Sequence, residues 1–84
     1  MNHDPRALAA FELMMSKQSD AALEAYNQLI KDQPDEPRHY MNRALVYDML
    51  KRKEDAIADA NKALSLASLP WMKDQIQDFL EDLK

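Results

Sequence analysis

Eighty-four residues with no cysteine, no glycine and a net charge of −4 exclude several classes of protein at once. The missing cysteine removes disulfide staples, thiolate metal sites and cysteine nucleophiles. The missing glycine removes phosphate-cradling loops and the tight hairpin turns that need a positive φ. A pI near 5.0 argues against nucleic acid and anionic membrane as partners.

Val, Ile and Thr together number four, while Ala and Leu supply 23. That balance favours helix over strand throughout, so the chain is expected to be all-α. Taken in order, Pro5 reads as a helix start and the first helix runs over about 5–16. The polar stretch Ser16-Lys17-Gln18-Ser19 breaks it, and Ser19 is expected to cap a second helix over 20–32, with Asp20 in its first turn. Pro34 stops that helix. Asp35 is the expected cap of a third helix over 37–50, opened by Pro37. The turn Lys51-Arg52-Lys53 precedes a fourth over 54–67, with Glu54 and Asp55 in its first turn. Ser68 is the expected cap of a fifth over 70–83. No apolar stretch approaches the length of a membrane span. The start Met1-Asn2-His3-Asp4-Pro5 has neither a basic region nor a leader-type apolar core. The expected setting is soluble and cytoplasmic.

The helices are not independent. Shifting the chain by 34 residues brings Ala10 onto Ala44, Phe11 onto Leu45, Met15 onto Met49, Lys17 onto Lys51, Ala22 onto Ala56, Leu23 onto Ile57 and Ile30 onto Leu64. A helix–turn–helix unit repeating at that period is the mark of a helical solenoid, in which stacked neighbours close each other's apolar faces. The second unit, Tyr40-x3-Ala44-x2-Tyr47-x8-Ala56-x3-Ala60-x2-Ala63, resembles a tetratricopeptide repeat. Ala10, Leu13, Ala22, Tyr26, Leu29 and Pro34 form a more worn copy. The resemblance implies a right-handed solenoid of two hairpins, over about 3–36 and 37–69, with a fifth helix over 70–84 capping the array in one domain. Two departures stand out. Lys17 and Lys51 occupy the position of the usual turn glycine, which implies either a non-glycine residue at unfavourable φ or a turn of another shape. Ala60 is small where the family is bulky, which implies looser packing in the second hairpin.

Small residues at Ala10, Ala22, Ala44, Ala56 and Ala63 suit close helix approach, and Leu13, Tyr26, Tyr40, Tyr47, Ile57 and Leu64 fill the gaps. A separate stripe at i, i+4, i+8 comprises Ala7, Phe11 and Met15 in the first helix and Met41, Leu45 and Met49 in the third. The resemblance implies that these positions line a concave groove, with Arg38, Asn42 and Asp48 beside them to orient a ligand. The first helix is apolar almost all round, and two repeats are too few to cover it. An uncovered apolar strip signals an interaction surface. The expected partner is therefore another protein or peptide. The alternatives are a homodimer or larger assembly made through the first or the capping helix, and an engineered scaffold with no ligand. The segment Tyr40–Ala44 is similar to that of chaperone-binding members of the family, but only Asn42 matches their carboxylate clamp, so no such clamp is expected.

In the fifth helix Met72, Ile76, Phe79, Leu80 and Leu83 form an amphipathic stripe expected to cover the open end of the second repeat, with Trp71 as anchor. Its other face is acidic. No catalysis, metal or cofactor is expected. His3 lies in the terminal segment, and the i+4 neighbour of His39 is Arg43, which repels a cation. The carboxylate pairs Asp55/Asp59 and Asp78/Asp82 are expected on outward faces where nothing desolvates them. Ser16, Ser19, Ser65 and Ser68 have no histidine partner.

Overall fold

The computed structural model describes residues 4–83, and the reading of His3 falls outside them. Five helices follow one another: α1 (Pro5–Met15), α2 (Ser19–Asp32), α3 (Pro37–Met49), α4 (Lys53–Leu66) and α5 (Pro70–Leu83). The 34-residue shift that aligns the sequence also carries α1 and α2 onto α3 and α4, from Met15 to Met49 and from Ser19 to Lys53. Each helix packs chiefly on the next in the chain, and α1 touches α3 only lightly.

The turns within the two hairpins are built alike. Lys17 sits at φ 64° and Lys51 at φ 63°. In the first turn the Gln18 N–H donates to Leu13 O at 2.9 Å and the Lys17 N–H to Met14 O at 3.1 Å; in the second, Arg52 N–H reaches Tyr47 O at 2.8 Å and Lys51 N–H reaches Asp48 O at 3.1 Å. This double bond pattern is a Schellman motif, which normally carries glycine at its left-handed position. Of the two shapes that the missing glycine allowed, the chain takes the strained one. In the second turn the Arg52 guanidinium also lies 4.8 Å from the centroid of the Tyr47 ring.

Three caps fall one residue away from the expected positions. Pro37 and Pro70 each occupy the first helical position, where their missing N–H costs nothing, so the cap is the residue directly before the ring. Glu36, not Asp35, caps α3 by accepting from the Arg38 N–H. Leu69, not Ser68, holds the cap position of α5, and its carbonyl accepts from the Lys73 N–H at 3.1 Å. Gln18, not Ser19, precedes α2 and gives it no side-chain capping bond, because the Schellman turn already fixes that residue. Asp4, directly before Pro5, caps α1 through the Arg6 N–H at 2.9 Å.

The core has two parts. Ala10, Met14, Ala22, Tyr26, Leu29 and Val46 are buried where α1, α2 and α3 meet. Tyr40, Ala44, Ala56, Ala60, Ala63, Ala67, Ile76 and Leu80 are buried among α3, α4 and α5. Helix α3 serves both, which is why it lies in the middle of the stack. The five alanines expected at close contacts are all fully buried. Ala60 does not loosen the second hairpin: it too is fully buried, and α3 and α4 make the most extensive helix pairing in the molecule. A methyl group in place of a bulky side chain brings the two axes together. The α5 stripe packs as expected, with Ile76 and Leu80 buried and Met72, Phe79 and Leu83 half-buried against the same cluster. Trp71 is not an anchor: it is 56% exposed, because it lies beside Met72 at the start of α5 rather than on the Ile76–Leu80 face.

Asp59 also departs from its expected place. It is buried rather than outward, and its carboxylate accepts from Arg43 Nε at 2.6 Å and Nη2 at 2.7 Å. Arg43 Nη1 donates to Asn27 Oδ1 at 3.0 Å, so one guanidinium ties α2, α3 and α4. It also lies 5.8 Å from the Tyr40 ring centroid and 5.7 Å from that of Tyr47. The fork geometry of the guanidinium satisfies a carboxylate bidentately and stacks on rings, which makes it tolerable at partial burial. The paired Asp59 holds the Arg43 pKa above its usual value, against the desolvation of a half-buried charge.

Candidate functional site

An open groove of about 1210 Å³ runs between the first turns of α1 and α3 and is closed at one end by the α2–α3 loop. The apolar wall is Pro5, Ala7, Leu8 and Phe11; the polar wall is Gln33, Asp35, Glu36, Arg38, His39 and Asn42. Leu8 is 63% exposed and Phe11 42%. These positions, with Met15, recur at i, i+3 and i+7, so they share one stripe of α1. Ala10 and Met14 face the opposite way into the core. A helix that is apolar on both sides can bury only one of them here, because only α2 and a small part of α3 pack against it.

The nine residues expected to line a groove are divided by the fold. Ala7, Phe11, Arg38 and Asn42 lie together on this one. Met15, Asp48 and Met49 are exposed at the far ends of α1 and α3. Met41 is half-buried against the cluster around Tyr40 and Ile76. Leu45 is half-buried against the cluster around Tyr26. A strict i, i+4, i+8 stripe drifts round a 3.6-residue helix, so its ends leave the face on which it starts. Leu8, Gln33, Asp35, Glu36 and His39 line the groove without having been expected there. Leu8 was legible as the apolar residue three before Phe11, whereas the loop residues carry no sequence periodicity.

A chain of polar contacts fixes the groove's closed end. Arg6 Nη1 donates to Asp32 at 2.6 Å and Nη2 to Asp4 at 2.8 Å. Gln33 Nε2 donates to Asp4 Oδ2 at 2.8 Å, and its Oε1 lies 2.7 Å from His39 Nε2. With the Gln33 amide donating to Asp4, its oxygen is left to accept, so His39 carries its proton on Nε2. The Arg6 guanidinium holds the Asp4 carboxyl well below the usual carboxylate range. Arg38 lowers the Glu36 pKa through a 3.0 Å pair. Burial pushes the His39 pKa down from its ordinary 6.5, with Glu36 opposing and Arg38 assisting. His39 is buried in the groove's polar wall, with its Nε2 engaged by Gln33. Among the described residues, no cluster of three or more His, Asp or Glu side chains could hold a metal ion. No helix there is long and apolar enough to cross a membrane.

Asn42 has an inward neighbour. The Tyr26 hydroxyl is fully buried and makes no well-formed hydrogen bond, although the Asn42 side chain is the polar group that faces it. Burial outweighs that contact and pushes the Tyr26 pKa up to about 12. Asn42 thus lines the groove while it faces the buried phenol behind it.

Two stacked hairpins with duplicated turns, closed by an amphipathic fifth helix, define a helical-repeat protein. The tetratricopeptide-repeat family profile matches residues 13–69, more than half of the chain, and the chain belongs to that family. Neither the curated proteins nor the solved structures yield a match. Tetratricopeptide repeats are non-catalytic modules that mediate protein–protein interaction.

Proposed function

We propose that the chain is a protein-interaction module that seats a partner peptide or helix in the groove between α1 and α3. The observation that carries this reading is the uncovered stripe of Leu8 and Phe11 on a helix whose opposite face is already committed to the core. Completing the burial of those two half-exposed side chains is worth about 1–2 kcal/mol each. A micromolar complex needs about 8 kcal/mol, so most of the free energy must come from other contacts along the groove, such as Arg38 and Asn42. Binding through this surface is accordingly weak and dependent on polar complementarity.

The test places a photo-crosslinking amino acid at position 8, captures partners from the native cell, and repeats the capture with Phe11→Glu. The partner peptide should map to the α1–α3 groove and be lost in the variant. Recovery of the same peptide by Phe11→Glu would overturn the assignment. Sedimentation of the wild-type chain at tens of micromolar should give a monomer; a dimer abolished by Phe11→Glu would assign the stripe to self-assembly instead.

A further inference from the structure

The α2–α3 loop that closes the α1–α3 groove has a second face. A second depression, of about 420 Å³, opens on the far side of that loop. It shares Asp35, Glu36 and Arg38 with the first. Its apolar wall includes Leu69, 49% exposed, and Trp71, 56% exposed. The surface therefore runs apolar, acidic, apolar. Around the first depression and the shared ridge, the four carboxylates of Asp4, Asp32, Asp35 and Glu36 face two guanidiniums, Arg6 and Arg38, a net charge of −2. Arg6 is held between Asp4 and Asp32, and Arg38 is paired with Glu36. Asp35 is exposed and makes no ion pair among the described residues. No lysine lines either depression.

We propose that the two depressions form one two-lobed docking site for a partner segment that carries lysine or arginine between two apolar side chains. The inference rests on the groove reading above and adds the chemistry of the occupant. One apolar side chain fills the lobe at Phe11, the cation meets Asp35 on the ridge, and the second apolar side chain packs on Trp71. The indole face also attracts a nearby cation. An acidic segment is repelled by the same ridge. A second copy of this chain is a poor occupant, because its most basic turn, Lys51–Lys53, is followed by Glu54 and Asp55, and Arg52 is already paired with Asp55 at 2.7 Å.

The experiment titrates the full ¹⁵N-labelled chain with three synthetic peptides that share one leucine and one phenylalanine, separated by lysines, glutamines or glutamates. The lysine peptide should shift the amides of Phe11, Asp35 and Trp71 together and bind at least about tenfold tighter than the glutamate peptide. That preference should shrink with Asp35→Asn and in about 1 M salt, where the Debye length is about 3 Å. Equal binding of all three peptides would overturn the charge selection while leaving the groove reading intact. Shifts confined to one lobe would overturn the two-lobed site. If no peptide moves Leu8 or Phe11, the groove reading itself fails.

Discussion

Replacing Lys17 and Lys51 by glycine should stabilise the protein, and the amount can be worked from the turns. Both residues hold a left-handed backbone, at φ 64° and 63°. For an L-residue that conformation costs roughly 1–2 kcal/mol. Glycine removes the cost but enlarges the unfolded ensemble, which returns about 0.4–1 kcal/mol. The net gain is about 0.5–1 kcal/mol per site. The sites belong to different hairpins, so the double variant should gain about 1–2 kcal/mol. For a domain of this length each kcal/mol raises Tm by roughly 4–8 °C. Urea unfolding of the single and double glycine variants measures the gain. Lys17→Ala and Lys51→Ala serve as controls, since they remove the same charge but keep the Cβ. The alanine variants should show no gain. Alanine and glycine variants of equal stability would refute the reasoning, because the effect would then be charge and not backbone.

Three further outcomes follow from the core and its polar groups. Tyr26→Phe should be neutral or stabilising by up to about 1 kcal/mol in urea melts, because it deletes a buried hydroxyl without a well-formed hydrogen bond; a loss above about 1 kcal/mol would show that Asn42 satisfies it. Asp59→Ala should cost about 2–3 kcal/mol, below the roughly 3–5 typical of a fully buried pair because the Arg43 side chain keeps 20% exposure. Pairing it with Arg43→Met should restore most of that loss, and an additive double variant would contradict the coupling. Finally, burial lowers the folded-state pKa of His39 below its ordinary 6.5. In the window between those values the unfolded chain binds the proton and the folded chain does not, so stability should fall as pH drops below about 6.5. The His39→Gln variant should flatten the stability profile between about pH 7 and 5, while the losses tied to Asp4 and Glu36 appear only at lower pH. An unchanged profile would place the titration elsewhere.

The sequence by itself determined the helices, their order and their duplication. Its alanines, prolines and 34-residue period are local or periodic signals, and each helix lies within about two residues of its expected bounds. The resemblance to the tetratricopeptide repeat also marked Lys17 and Lys51 as anomalous turn residues, because they stand where that family usually has glycine. Tertiary structure alone decided what each side of a helix touches. Leu8 and Met14 are equally apolar in sequence, yet one is exposed and the other buried, since α2 covers only one side of α1. Asp59 looked like a solvated carboxylate until Arg43, on the preceding helix, was brought against it. The acidic ridge has the same origin. Asp32, Asp35 and Glu36 lie within five positions of one another, but Asp4 joins them only because the start of α1 packs against the end of α2. Such an assembly depends on relative helix placement, which no local propensity or period encodes.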